Sequence, residues 1–336
     1  MGDLEHWLIL KSIRGLGERK IKKLFSLFKS ARRILDADEE ALTEAVGVRT
    51  ARAVRSREGV DLRRVEEVLN LVEREALGYL TPESEKYPRK LFVLPDPPPL
   101  LFYRGALRET PLVAVVGPRR PTTYTLSFTE DTVRKLVSAG YGIVSGGAPG
   151  VDSLAHTSAV KNSGYTLCVL GFGLLKARGK LFRRIEESGG ALLSEFLPQE
   201  EGSRYTFPKR NRLIAALSDF LILPEAGVRS GALITARWCR ALGRGVFVHI
   251  GIGRSPSWEG CYTLLREGKG ELLRDVEDLI GSRKEEDSDL IAFLKTPRSL
   301  EEIMEFTARG YGEICALPTE LELQGKVRRI GSLFCS

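Results

Sequence analysis

The amino-acid sequence predicts an α/β fold, in which a Rossmann-like, doubly wound and mostly parallel sheet lies between an N-terminal all-α domain and a C-terminal winged-helix-like domain. From residue 112 onward, short β-branched runs alternate with stretches of helix length, which is typical of βαβ units. Three consecutive prolines, Pro97–Pro99, cannot lie inside a helix or a central strand and therefore mark an extended joint before the sheet. Apolar residues at helical spacing, such as Ile21, Leu24 and Phe28, predict helices before that joint.

Six short runs are the predicted strands of the sheet, and five longer stretches are the predicted helices between them. The strands are Val113–Val116, Gly142–Val144, Tyr165–Leu170, Ala191–Leu193, Phe220–Leu223 and Gly245–Val248. The helices cover residues 126–139, 151–161, 178–188, 208–217 and 231–242. Because these strands are apolar along their length, we expect helices to cover both faces of the sheet.

Four segments follow from these patterns: a helical domain at 1–80, a Pro-rich connector at 81–111, the Rossmann-like domain at 112–281 and the winged-helix-like domain at 288–336. In the last segment, Ser299 and Glu302 have the spacing of a capping box. Gly325 lies between two apolar runs, where we expect the turn that leads into a two-stranded wing.

Charge is distributed unevenly along the 336 residues, whose formal net charge is +7. Residues 112–280 carry 22 basic and 16 acidic side chains, whereas residues 281–336 carry 8 basic and 10 acidic ones. A surface that binds a polyanion is therefore expected on the predicted sheet domain.

Cysteine and apolar patterns exclude several other classes of function. The five cysteines are scattered without a CxxC pair, so neither a metal site nor a redox site is expected. No apolar run reaches 18 residues, and the N-terminus does not resemble a signal peptide. A cytoplasmic protein with no membrane association is the expectation.

Polar or glycine-rich loops follow four predicted strands, and a doubly wound sheet brings such loops together at its ligand-binding edge. Glycine lets backbone N–H groups approach an anion, and arginine grips phosphate with two hydrogen bonds. The candidate phosphate-binding residues are Gly117, Arg119, Arg120, Ser145, Gly146, Gly147, Gly150, Lys209, Arg210, Asn211, Arg212, Ser230 and Gly231. Structural support is expected from Asp152, His156, Glu225 and Thr235. For one loop alone a tight turn is the simpler interpretation, but four such loops favour a phosphate-binding edge.

Four segments resemble the Rossmann-like domain of the DNA-processing protein A (DprA/Smf) family, and the connector from Tyr87 to Gly105 matches as well. They read VAVVGPR (113–119), SGGAPGVDSLAH (145–156), FPKRNRLIAALSD (207–219) and EAGVRSGALITARWCRALGRGVF (225–247). The resemblance implies a non-catalytic protein without a cofactor that binds and protects incoming single-stranded DNA during natural transformation and loads the RecA recombinase on it. It also implies a homodimer formed through the Rossmann-like domain, and contact with a single-strand-binding protein.

This sequence departs from the family pattern at three places. Pro118 stands where the family usually has serine, and Pro149 stands where it usually has arginine, so one expected phosphate contact is missing. His249-Ile250-Gly251 replaces the usual proline-glycine after the last strand. These changes are expected to alter the affinity for DNA or the form of DNA preferred.

The N-terminal segment contains Gly15-Leu16-Gly17 before an amphipathic stretch, which resembles a helix-hairpin-helix motif. The backbone N–H groups of such a hairpin hold a DNA phosphate, so Gly15, Gly17, Arg19 and Lys20 are predicted as a secondary DNA contact. The alternative is a hairpin that serves only packing, as in SAM-like interaction modules.

An enzyme acting on nucleotides is the alternative from another class. The segment Leu223–Gly227 faintly resembles the phosphate loop of LOG-type phosphoribohydrolases, although the Gly-Thr pair of that loop is missing. No GxxxxGK[ST] motif is present, and His156 has no evident nucleophile partner in the sequence. The run Lys209–Arg212 also carries more positive charge than a nucleotide monophosphate requires.

Overall fold

A computed structural model describes residues 3–251, 255–280, 290–307, 327–330 and 333–335. The chain divides into two compact units, Met1–Leu273 and Arg274–Ser336. Within the described residues, no helix combines the length and apolar character needed to cross a membrane.

Six helices form the first part of the larger unit: α1 (Asp3–Ser12), α2 (Glu18–Phe28), α3 (Ala31–Asp36), α4 (Glu39–Val46), α5 (Val48–Ser56) and α6 (Leu62–Arg74). Asp38 caps α4 and Asp61 caps α6 by accepting backbone N–H groups of their first turns. Trp7, Leu24 and Ile34 are fully buried between these helices, which explains the helical spacing of the apolar residues.

The described residues of the larger unit form one sheet of nine strands. They are β1 (Gly78–Leu80), β2 (Leu101–Gly105), β3 (Leu112–Val115), β4 (Gly142–Ser145), β5 (Thr166–Leu170), β6 (Ala191–Ser194), β7 (Phe220–Leu223), β8 (Gly245–Val248) and β9 (Glu271–Leu272). Their order is β1-β2-β6-β5-β4-β3-β7-β8-β9. The strands from β6 to β9 in this order are parallel, and β1 and β2 are antiparallel additions.

Helices α7 (Thr123–Ser138), α8 (Val151–Lys161), α9 (Lys180–Glu187), α10 (Thr206–Leu217), α11 (Ala232–Ala241) and α12 (Glu259–Arg266) connect or follow the parallel strands. The doubly wound fold is therefore confirmed, and the six predicted strands begin and end within one residue of their observed bounds. Alternate residues of β5 lie in different cores: Leu167 and Val169 in one, Cys168 and Leu170 in the other. The sheet is therefore buried on both faces, as the apolar strands predict.

The connector joins the helical segment to the sheet. Its Tyr87 hydroxyl donates to the carbonyl of Pro98 at 2.8 Å. Lys22 of α2 donates to the carbonyls of Phe92 and Leu94, at 2.9 and 2.8 Å. Strand β2 lies within the connector and pairs with β6, so the helices, the connector and the sheet form one compact unit rather than separate bodies.

The smaller unit contains α13 (Leu300–Thr307) and a hairpin of β10 (Arg328–Ile330) and β11 (Leu333–Cys335). The capping box is present: the backbone N–H of Ser299 donates to Glu302, and that of Glu302 donates to the Ser299 hydroxyl. The two strands pair antiparallel, with Arg328 opposite Cys335 and Ile330 opposite Leu333. Gly325 itself lies outside the described residues.

Candidate nucleic-acid interface

The strand order reverses at β3, whose neighbours are β4 on one side and β7 on the other. A crevice outside the carboxyl ends of β3 and β7 is the expected ligand position in such a sheet. Glu225, just beyond β7, is only 1% exposed and accepts from the backbone N–H and hydroxyl of Thr122, both at 3.0 Å, and from the Thr125 hydroxyl at 2.6 Å. Glu225 therefore ties the loop after β3 (residues 116–122, the first loop) to the end of β7.

The loop after β4 (residues 146–150, the second loop) packs directly on the first loop. Gly150 has a φ of +88°, and a Cβ there would lie 2.3 Å from the carbonyl oxygen of Pro118. The N–H of Val151 donates to that same carbonyl at 3.2 Å. The glycine is thus required by the close contact between the two loops.

Several groups predicted to face phosphate instead point into the protein. The Ser145 hydroxyl is fully buried and donates to the carbonyl of Val115 at 2.6 Å. Burial raises the pKa of Asp152, an effect that is opposed by the Arg210 guanidinium and by backbone interactions with Gly117, Ala148 and Gly146. The backbone of these loop residues therefore faces a carboxylate of the protein, and Asp152 braces both loops.

Arg210 is an internal cross-link rather than a surface cation. Its guanidinium, 5% exposed, donates to the carbonyls of Gly146, at 2.6 Å, and Val169. Burial lowers the pKa of Arg210, and the neighbouring Asp152 carboxylate opposes this shift. Helix α10 is thereby joined to the ends of β4 and β5.

Arg212 is also internal. It is 2% exposed and pairs with Glu195 at 2.5 Å and with Asp96 of the connector at 3.4 Å. Lys209, at the protein surface, donates to Glu18 at 2.7 Å and lies 3.7 Å from Glu195. Two of the three cations of the FPKRNR segment therefore hold α10 in place, and the third is paired with the first residue of α2.

The remaining predicted residues, in α8, α10 and the start of α11, have mostly structural contacts. His156 is fully buried with Nδ1 2.7 Å from the Thr166 hydroxyl, and burial together with Arg210 lowers its pKa to about 3, so the ring is neutral at physiological pH. The Asn211 side chain donates to the carbonyl of Gly231 at 3.3 Å, and the Ser230 hydroxyl accepts from the backbone of Ala232 at 3.3 Å. Thr235 is 1% exposed.

Arg119 and Arg120 are the predicted site residues that point outward with free charge. Both are exposed in the first loop, and within the described part of the chain neither has a hydrogen-bond or ion-pair partner. Arg119 lies close enough to lower the pKa of Arg210. The structure therefore brings this cation to the same edge as the second loop and α10.

A further group of cations was missed by the sequence prediction. Arg178, Lys180, Arg183 and Arg184 surround the start of α9, are exposed and form no ion pair among the described residues. The first turn of α9 adjoins the second loop, because a Cβ at Gly147 would lie 3.1 Å from the ring of Phe182. The signal available was the run 176–184, with five basic and no acidic residues.

Arg204 and Tyr205 are also functional candidates that the sequence prediction missed. They precede α10, where Tyr205 is 70% exposed and the Arg204 guanidinium lies 4.8 Å from the centre of its ring. The guanidinium also donates to the Tyr205 hydroxyl at 2.6 Å. An aromatic ring beside a cation is a common feature of surfaces that bind single strands.

The predicted hairpin lies directly before α2. Gly15 has a φ of +78°, and Gly17 is the N-cap of α2 without a side-chain cap. Lys20 donates to the carbonyl of Gly15 at 3.3 Å and to the Thr50 hydroxyl at 2.6 Å, whereas Arg19 is exposed. A DNA contact at this hairpin remains a prediction.

These observations define the class of protein: it has a Rossmann-like fold. Buried charges brace the edge at the carboxyl ends of its strands, and exposed cations lie on that edge. Residues 78–284 match the family described as DNA recombination-mediator protein A, and the chain belongs to this family. It is 33% identical to Protein Smf of Synechocystis over 302 residues, which cover 82% of this chain and 72% of the relative. It is 37% identical to DNA processing protein DprA of Streptococcus pneumoniae over 199 residues, which cover 58% and 70%.

Solved structures agree with this assignment. The X-ray structure of DprA from Streptococcus pneumoniae superposes with a TM-score of 0.71 at 30% identity, covering 84% of this chain and 98% of the other. DNA processing protein A from Helicobacter pylori, described for its unique single-stranded DNA binding mode, superposes with a TM-score of 0.56 at 30% identity, covering 62% and 96%.

The buried ion pair between Arg212 and Glu195 is expected to contribute to the stability of the fold. Arg212→Met leaves Glu195 buried without its main partner, so we expect the free energy of unfolding to fall by about 3–5 kcal/mol. Denaturant unfolding followed by circular dichroism measures this loss. The exposed Arg119→Met serves as the matched control and should change stability by less than about 0.5 kcal/mol. Equal stability of the two variants would show that Arg212 does not hold α10.

Proposed function

We propose that the chain is a non-catalytic single-stranded DNA-binding protein that protects incoming DNA and loads RecA on it during natural transformation. The observation that carries this proposal is the set of exposed cations at the carboxyl edge of the sheet, from Arg119 and Arg120 to the start of α9. These cations form no ion pair among the residues that the structure describes. Membership of the recombination-mediator family and the single-stranded DNA binding described for the Helicobacter pylori relative support this proposal.

Aromatic rings along the same edge favour a single strand as the ligand. Phe172 lies between Phe182 of α9 and Phe207 of α10, with ring centres 6.4 Å apart in both pairs. All three rings are only partly buried, and Tyr205 continues the series. Unpaired bases can stack on such rings, whereas the bases of a duplex are already stacked on each other.

Glu225 and His156 are both buried at this edge, which favours a binding protein over a phosphoribohydrolase. Glu225, the carboxylate just beyond β7, is buried and accepts three hydrogen bonds from Thr122 and Thr125. His156 is buried and neutral. Neither group is open to a substrate, which supports the non-catalytic proposal.

The first prediction concerns the form of the DNA. A 30-nucleotide single strand should bind at least tenfold more tightly than a duplex of the same length. Affinity should fall with salt, each neutralised phosphate contributing about −0.7 to the slope of log K against log salt. Fluorescence anisotropy at several salt concentrations measures both quantities. Preference for duplex, or an affinity that salt does not change, contradicts the proposed function.

The second prediction concerns the exposed cations. Arg119→Glu with Arg120→Glu should weaken single-strand binding at least tenfold, about 1.4 kcal/mol, without unfolding the protein. Lys209→Gln should have a smaller effect, because Glu18 already neutralises that ammonium.

A matched control for this prediction carries the same change of charge at the opposite edge of the sheet. Lys161→Glu with Arg266→Glu changes two exposed cations in the last turns of α8 and α12. Equal losses in the two double variants would mean that only net charge matters, and the assigned edge would be wrong.

A homodimer formed through the Rossmann-like domain is also proposed. Strand β9 is a sheet edge, and its Leu272 is 50% exposed. Edge strands with exposed apolar residues are prone to pair with another chain. We expect light scattering to report a dimer for the wild type and a monomer for Leu272→Lys. A dimer in both samples would place the interface elsewhere.

Transfer of the strand to RecA is proposed from the recombination-mediator family. The protein should accelerate the DNA-dependent ATPase of RecA on strands already covered by single-strand-binding protein. The Arg119→Glu, Arg120→Glu variant should not. Acceleration by that variant, at concentrations where it binds no DNA, would separate RecA loading from the DNA site.

A further inference from the structure

Tyr124 is an exposed aromatic residue that the DNA site described above does not use. It lies in the first turn of α7, directly after the first loop, and is 45% exposed. Thr122, two residues earlier, is bonded to Glu225 at the end of β7. Tyr124 therefore lies next to the cationic first loop. It is also beside the crevice at the point where the strand order reverses.

The Tyr124 ring is held in one orientation by His249, just beyond β8, and by Trp258, just before α12. It packs on His249, with centres 5.4 Å apart and planes at 25°, and meets Trp258 edge to face at 6.4 Å. The Tyr124 hydroxyl lies 3.1 Å from His249 Nε2, and His249 Nδ1 lies 2.9 Å from the carbonyl of Leu273. Because a carbonyl only accepts, Nδ1 carries the proton and Nε2 accepts from the tyrosine hydroxyl.

His249 is itself immobilised. It is 7% exposed and stacks on Phe128 with ring centres 3.6 Å apart and planes at 9°. Burial lowers the pKa of His249, which keeps the ring neutral and able to accept the hydrogen bond from Tyr124. An exposed ring supported in this way is preorganised, so stacking a base on it costs little conformational entropy.

The charge and position of the residues next to Tyr124 indicate which ligand binds there. Arg119 and Arg120 precede Tyr124 by five and four residues and are exposed without partners among the described residues. A ligand that offers phosphate to these arginines and a flat ring to Tyr124 is a nucleotide with an unpaired base. We propose that Tyr124 stacks on a base of the bound single strand, whose phosphates lie on Arg119 and Arg120. This inference rests on the proposed function and adds a base contact that selects single strands over duplex.

The test compares Tyr124→Leu, Tyr124→Phe and wild type on two oligonucleotides of equal length, oligo(dT) and an abasic strand. Tyr124→Leu should lose about tenfold in affinity for oligo(dT), about 1.4 kcal/mol, and stay within twofold on the abasic strand. Tyr124→Phe keeps the ring and should stay within threefold on both. Tyr79→Leu, which removes a 37% exposed tyrosine from β1 at the far edge of the sheet, is the matched control and should change neither affinity.

The outcomes separate the inference from the proposed function. Wild type that fails to bind oligo(dT) overturns both. Wild type that binds oligo(dT), with Tyr124→Leu unchanged or equally weakened on both strands, overturns the stacking role alone. Circular dichroism establishes that the leucine variant is folded. If it is not, Tyr124→Met, which keeps apolar contact with His249 and Trp258, takes its place under the same criteria.

Discussion

The buried guanidinium of Arg210 is the contact on which the ligand-binding edge depends. It enters from α10, bonds the carbonyls of Gly146 and Val169, and lies beside the Asp152 carboxylate under the second loop. A buried cation is tolerated only where fixed dipoles and an opposite charge compensate it, so loop, strand end and helix must keep this arrangement together. A Cβ at Gly146 would lie 2.5 Å from the guanidinium, which explains the glycine there.

Charges at this edge consequently divide into an inner and an outer set. Arg210, Arg212 and Asp152 are inner and give the loops their shape. Arg119 and the cations of α9 are outer and form no ion pair within the described part of the chain. Lys209 lies between the two sets, because its side chain is 37% exposed yet paired with Glu18 of α2. Through that pair, the helical segment contacts the edge where the proposed ligand lies. The cations near α9 also offer positive charge near the second loop, where Pro149 replaces the family's usual arginine.

Periodicity and composition predicted six of the parallel strands, β3 to β8, and the helices between them, because these elements follow from local sequence. They did not predict β1, β2 or β9, whose pairing depends on residues far away in the chain, as Phe102 with Ser194 illustrates. The sequence supplied the residues of the candidate site, but it did not show which of their side chains are buried and which are exposed. The sequence does not reveal whether an arginine of FPKRNR faces solvent or pairs with a buried carboxylate, as Arg212 does with Glu195. It likewise does not reveal that the Ser145 hydroxyl is buried against the carbonyl of Val115. The cations of α9 were overlooked because they lie outside the glycine-rich loops.

The central claim is that a single strand lies along the outer cations of the carboxyl edge. Photo-crosslinking of a 5-iodouracil oligonucleotide to the full chain, followed by mass spectrometry of the crosslinked peptides, tests it directly. Crosslinks are expected in the segments 117–124, 178–184 and 203–209. Crosslinks confined to α3–α6 or to residues 290–336, with none in those three segments, would contradict it.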